Sequence, residues 1–195
     1  MHTMKTLSSQ PFRIPTNYEL LQVIGVGAFA HVHLCRDKDT GGQMAVKQVQ
    51  CSPSCRKTKQ ALNFLKNEIE IMKKLQHPHV VQYYGADSDT GVFNIFMEFM
   101  SGGSAKRYIQ HNGPLSNTAT VVAIRHVLLG LDYLHKENII HRDLKASNVL
   151  RTETGVYKIA DFGCSKKFEE CSELKAFSYV GTSYWMSPEV LNNQG

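Results

Sequence analysis

The sequence predicts an α+β fold in two parts, and three observations predict it. Over residues 18–100, short runs rich in β-branched and aromatic residues alternate with glycine-bearing turns, as in a small, mostly antiparallel sheet. Over residues 101–195 the longest periodic segment, Asn117 to Lys136, reads as a helix. Between Ile139 and Leu150, a run of polar side chains is held between two apolar pairs that suit short buried strands. Residues 1–17 are polar, carry Pro11 and Pro15, and read as a lead-in tail.

Composition narrows the class. Of 195 residues, 42% are hydrophobic and 20% charged, as in a globular protein and unlike a disordered one. The net charge of +5 is mild and its lysines and arginines are scattered, so charge implies no nucleic-acid partner. No run of about 18 apolar residues offers a membrane span, and the N-terminus lacks the apolar core of a signal peptide. Cys35, Cys51, Cys55, Cys164 and Cys171 are an odd number without zinc spacing. Free thiols in a reducing cytoplasm fit that pattern.

The sheet is read in order. A strand from Tyr18 to Ile24 runs into Gly25-Val26-Gly27-Ala28-Phe29-Ala30, and a second follows at His31–Cys35. Glycines between two strands let backbone N–H groups approach phosphates, because no Cβ blocks the way. A dinucleotide site would need a helix directly after the glycines and an acid about 20 residues on. A strand follows instead. Asp39-Thr40-Gly41-Gly42 is a hairpin turn, and Met44–Val49 is the third strand.

A polar loop at Cys51–Thr58 precedes a helix expected over Lys59–Leu75, with Ala61, Leu65, Met72 and Leu75 in a stripe. Glu68 falls on that stripe, where an acid is costly unless partnered, and Lys47 is the candidate partner. Gln76-His77-Pro78-His79 ends the helix; with no acid or cysteine nearby, the histidines read as a turn and not a metal site. Strands are expected at Val80–Tyr84 and Phe93–Glu98, then a glycine-bearing exit at Ser101-Gly102-Gly103. A short helix over Ser104–Gln110 breaks at Asn112-Gly113-Pro114. Ser116 can cap the long helix, which is apolar around much of its circumference and is expected to be buried from several sides.

The polar loop carries the chemistry. His141, Arg142, Asp143, Leu144, Lys145, Ala146, Ser147 and Asn148 place a carboxylate, an ammonium and a carboxamide within six residues. A strand at Val156–Ala160 then delivers Asp161, and Gly163 allows the chain to bend. Phosphoryl transfer needs these groups. Asp143 can orient an attacking hydroxyl, Lys145 can neutralise the moving phosphoryl, and Asn148 and Asp161 offer hard oxygens suited to Mg²⁺.

His141-Arg142-Asp143-Leu144-Lys145 with Asn148, followed by Asp161-Phe162-Gly163, resembles the eukaryotic protein kinase catalytic domain. The resemblance implies a two-lobed kinase-like fold: an N-lobe at 18–100, and at 101–195 part of a helical C-lobe that in the family continues further. It implies ATP and Mg²⁺. The nucleotide would lie against Ile24, Gly25, Val26, Gly27, Ala28, Val32, Ala45, Met97, Glu98, Met100 and Leu150. Lys47, in the element Ala45-Val46-Lys47, would hold phosphates and pair with Glu68.

Ala30 departs from the family's third glycine, and Ser183 and Ser187 depart within Gly181–Glu189. Arg142 would receive a phosphate in the activation segment, with Ser172 and Ser178 as candidate acceptors. Thr182 would shape the substrate-residue pocket. Lys145 matches serine/threonine kinases. The runs Gln82–Gly85, Phe96–Ser104 and Trp185–Glu189 look like MAP kinase kinase kinases, which implies a protein substrate such as a MAP kinase kinase. The other reading is a truncated isoform or pseudokinase that binds without catalysis. By resemblance, the helices of the missing C-lobe would cover the apolar helix, so residues 1–195 alone are expected to be inactive and aggregation-prone.

Overall fold

The computed structural model describes residues 14–27, 30–50, 65–89, 91–167 and 182–191. Five strands form one sheet: β1 (Tyr18–Val26), β2 (Ala30–Asp37), β3 (Gln43–Gln50), β4 (Tyr83–Asp89) and β5 (Val92–Glu98). Their order is β1-β2-β3-β5-β4, and every pairing is antiparallel. Local chemistry sets the β2–β3 turn. The Asp37 carboxylate accepts from Thr40 Oγ1 (2.6 Å) and from the Asp39 amide (2.9 Å), while Gly41 takes φ 73°.

The pleat divides β3 between two cores. Met44 and Val46 join Cys35 and Phe96 on one face, where the Tyr18 ring meets Phe96 edge-on at 5.2 Å. Val49 packs with Ile95 and Leu65 on the other, toward helix α1, described over residues 65–72. Lys47 shares the face of Val49 by its spacing, so the strand aims it at α1.

Helices α2 (Ala105–Asn112) and α3 (Asn117–Lys136) follow the sheet. Ser116 caps α3 as expected, and Ser104, expected as the first residue of the short helix, is instead its cap: Ser104 Oγ accepts from the Arg107 amide and Ser116 Oγ from the Ala119 amide, each at 3.2 Å. Then come β6 (Ile139–Ile140), β7 (Val149–Arg151), β8 (Tyr157–Ile159) and β9 (Lys166–Lys167), a 3₁₀ turn at Ser183–Trp185 and a short helix α4 (Pro188–Leu191). A cluster of Ile71, Met72, Leu75, Val80, Leu134, Ile139, Ile159 and Phe162 joins α1, α3 and these strands.

Three expectations are corrected. The expected strand at Val80–Tyr84 begins only at Tyr83 and runs on through Gly85-Ala86-Asp87 to Asp89. Pairing to β5 carries those poor strand formers, while Val80 bridges to Ile159 instead. Helix α1 stops at residue 72, because the Lys74 and Leu75 amides turn back to the carbonyls of Ile71 and Met72, a tighter closure than the α-helix. Helix α3 is not buried from several sides. Only Ala123, Gly130 and Leu134 are buried, while Val121, Ile124 and Leu128 are more than half exposed. Its buried residues pack against β6, β8, the start of α2 and the connector at His79.

Leu134 is wholly buried in the joining cluster, whereas Val23 on β1 is 51% exposed. Leu134→Ala is expected to lower unfolding free energy by about 2–5 kcal/mol. Val23→Ala should stay within about 0.5 kcal/mol. Urea unfolding of both variants beside the parent checks the pair, and equal losses would contradict the burial map.

Candidate active site

The polar loop hangs between two small antiparallel pairs, β6 with β9 and β7 with β8. His141, 2% exposed, fixes its base. Its Nε2–H donates to the Ala160 carbonyl (3.0 Å) and its Nδ1 accepts the Asp143 amide (3.3 Å), so it holds one neutral tautomer. Burial lowers its pKa, in keeping with that form. Arg142 and Asp161 adopt left-handed backbone, φ 63° and 67°, a conformation side chains resist. The Arg142 Nε–H donates to the Cys164 carbonyl at 2.6 Å.

Three donors converge on Asp143, which is 9% exposed. Lys145 Nζ and Asn148 Nδ2 reach Oδ2 at 2.7 and 3.1 Å, and Thr182 Oγ1 donates to Oδ1 at 2.7 Å. Lys145 also donates to Thr182 Oγ1 at 2.6 Å, closing a triangle. Burial works to raise the Asp143 pKa, but bonds from Lys145 and Thr182 and the Lys145 charge outweigh it, and the pKa is lowered. Asp143 is therefore an anion at neutral pH.

The second constellation spans the lobes. Lys47 Nζ donates to both oxygens of Glu68 at 2.8 Å and lies 3.5 Å from Asp161 Oδ1. Burial would lower the Lys47 pKa, yet the carboxylates of Glu68 and Asp161 raise it above its ordinary value. Glu68, more deeply buried, has its own pKa raised by burial against the pull of Lys47. With two short contacts to a lysine so held, the pair is ionic. Asn67 adds a tie from α1 that nothing in the sequence signals: Nδ2 donates to the Ser165 carbonyl at 3.0 Å.

Between these lies the cleft. Gly25 pairs with Val32 across β1 and β2, and the Gly27 amide closes the turn on the Ala30 carbonyl at 2.8 Å. Ala45 is buried and faces partly buried Met97, while Ile24, Val32 and Leu150 are partly buried and Val26 is exposed. Met100 packs with Val81 and Ala160. The Glu98 amide donates to the Gln82 carbonyl and the Met100 carbonyl accepts from Gly103. The Glu98 carboxylate was not expected to act, but it pairs with Lys158 of β8 at 2.7 and 2.8 Å. Ala28, Ser172 and Ser178 lie outside the described residues.

The donor set suits Mg²⁺. Asn148 spends its Nδ2 on the Asp143 carbonyl and carboxylate, which turns Oδ1 away as an acceptor, and the Asp161 side chain is 52% exposed. These are hard oxygens of the kind Mg²⁺ prefers. The arrangement can hold an anion beside a lysine and place a carboxylate next to a hydroxyl acceptor.

The sequence matches the protein kinase domain family over residues 18–195. The chain belongs to that family. It is 42% identical over 185 residues to mitogen-activated protein kinase kinase kinase 3 of Mus musculus and of Homo sapiens, which covers 93% of this chain and 30% of each relative. It is 38% identical over 178 residues to mitogen-activated protein kinase kinase kinase 3 of Arabidopsis thaliana, covering 89% and 27%. The chain thus spans less than a third of the length of these curated relatives.

Thr182→Val removes one of the donors that depress the Asp143 pKa. Titration of the Asp143 carboxyl by ¹³C NMR should show its midpoint move upward in the variant. An unchanged midpoint would show that Thr182 does not stabilise the anion.

Proposed function

We propose that this domain is a protein serine/threonine kinase that transfers the γ-phosphoryl group of ATP to a protein hydroxyl. Its place would be a cytoplasmic MAP kinase cascade, with a MAP kinase kinase as substrate. The observation that carries the reading is the Lys145–Thr182–Asp143 triangle, set beside the Lys47–Glu68 pair and Asp161.

Asp143, kept ionised by its donors, accepts the hydrogen bond of the attacking hydroxyl and orients it. The hydroxyl oxygen bonds to the γ-phosphorus, the bond to the leaving ADP oxygen breaks, and the hydroxyl proton passes to Asp143. Lys145, bonded to Asp143, is proposed to neutralise the transferred group. Glu68 holds Lys47 for the α- and β-phosphates, and Ala45, Met97 and Leu150 present apolar surface to the base. Asn148 and Asp161 would hold Mg²⁺, which when bound neutralises phosphate charge. Gly25 and Gly27 leave the flap backbone open to the phosphates.

Asp143→Asn should lower transfer by about 10²–10⁴-fold while keeping nucleotide binding. Radiolabel incorporation into a purified MAP kinase kinase and nucleotide-induced thermal shift read the two effects separately. Near-normal transfer by the variant would refute the role. Lys47→Met should diminish both readouts.

Arg142 is proposed to receive an activation-segment phosphate on Ser172 or Ser178, since such a group adds about −1.5 to −2 charge. Activity is expected to fall in Ser172→Ala with Ser178→Ala and after phosphatase treatment. Full activity in both would overturn the regulatory reading.

A further inference from the structure

Away from the cleft, the connector from α1 to β4 meets α3 and β8 through a row of rings. His77 stacks on Tyr133 with centroids 4.8 Å apart and planes at 9°, and His79 stacks on His126 at 4.2 Å and 18°. His77 meets His79 edge-on at 5.6 Å, and Tyr157 lies 6.3 Å from His126. Helix and connector approach closely here: a Cβ on Gly130 would stand 2.7 Å from the His79 carbonyl. The Ile159 amide donates to that carbonyl and the Val81 amide to the Ile159 carbonyl, each at 2.9 Å.

The hydrogen bonds assign protonation states. The Tyr157 amide donates to His126 Nδ1 and the His79 amide to His77 Nδ1, both at 3.2 Å. An imidazole accepting at Nδ1 must be neutral, because imidazolium has only donors. His79 plays the opposite part, since its Nδ1 lies 3.0 Å from the Tyr157 carbonyl and must donate. Two of the three imidazoles are thus accepting links in backbone bonds, and the third is a donor between them.

We propose that this junction is an acid-sensitive clasp, in which protonation of His126 removes the acceptor that ties β8 to α3, and protonation of His77 removes the acceptor that fixes the connector's turn against Tyr133 of α3. Burial and the charges facing these rings keep both imidazoles neutral near pH 7, so the clasp holds there and opens only in acid. Burial is the largest influence lowering the His77 pKa; nearby His79 and Lys158 reinforce it, and Asp132 of α3 opposes it. Burial also lowers the His126 pKa, reinforced by His79 and by Arg125. Tyr133 and Tyr157 complete the titratable groups in contact. Both imidazoles bind protons less readily folded than unfolded. The clasp's contribution is therefore complete above the ordinary pKa of about 6.5 and is lost as pH falls through the lower folded values. Release reaches the cleft because Tyr157 and Ile159 belong to β8, the strand that runs into Asp161.

Hydrogen exchange and histidine ¹H NMR on the whole protein test this without phosphoryl transfer, so the outcome is separate from the kinase reading. Protection of the His79 and Tyr157 amides, corrected for intrinsic exchange, should fall about tenfold or more between about pH 7.5 and 5, the range of imidazole titration. The ring titrations of His77 and His126 should have midpoints below about 6.5. In His77→Asn with His126→Asn, a side-chain oxygen can still accept but does not titrate, and protection should stay level across the range. Constant protection in the parent, midpoints at or above the ordinary value, or a variant that falls in parallel would each overturn the proposal. Should the variant fail to fold, the parent titrations decide alone.

Discussion

A carboxylate removed from water beside an apolar helix stripe must find a cation, and Glu68 finds Lys47. Much of the architecture answers to that need. Lys47 sits on β3, Glu68 on α1 and Asp161 beyond β8, so the contacts register three elements that are far apart in sequence. Breaking a buried pair leaves one charge without a partner, at a cost of about 3–5 kcal/mol, whereas an apolar pair of equal volume has no such penalty. The pair is thus poor economy as a staple and well suited to a position detector. Its bonds form only when α1 is seated against the sheet.

The same logic governs the polar loop. Asp143 and Asn148 are buried; Asp143 accepts from the loop and from Thr182, and Asn148 is held by donating to the carbonyl and carboxylate of Asp143. His141 makes the loop rigid by bonding both to Ala160 and to the amide of Asp143. Left-handed backbone at Arg142 and Asp161 persists because these bonds over-determine the turn. Chemistry that depends on orientation gains from such preorganisation, since no side chain must be ordered when substrate arrives.

The apolar cluster beneath the site explains why the two constellations keep their spacing. Phe162 is wholly buried between Ile71 and Met72 of α1 and the strands that carry the loop. Its neighbours Asp161 and Gly163 are consequently fixed against Glu68; a Cβ on Gly163 would lie 3.7 Å from Glu68 Oε2. A helix, a hairpin and a strand end share one hydrophobic contact set, and the polar groups above it inherit that geometry.

Residue type and spacing alone determined the strands β1–β3 and β5, the capped start of α3, and the grouping of Asp143, Lys145 and Asn148. These are local properties: alternation, a serine before a helix, and residues only a few positions apart. The partnership of Lys47 with Glu68 was legible in two steps: a buried acid demands a cation, and the resemblance to kinases named Lys47. Tertiary structure decided what depends on distant partners. Asp87 and Asp89 lie in a strand because β5 supplies the ladder, not because they favour it. The Glu98–Lys158 pair, the Asn67 tether to Ser165 and the His79–His126 stack cross 60, 98 and 47 positions, where no sequence period applies. Which face of α3 is buried was decided in the same way. An apolar circumference records which faces can be buried, and only the packing of α3 on β6 and β8 selects the one that is.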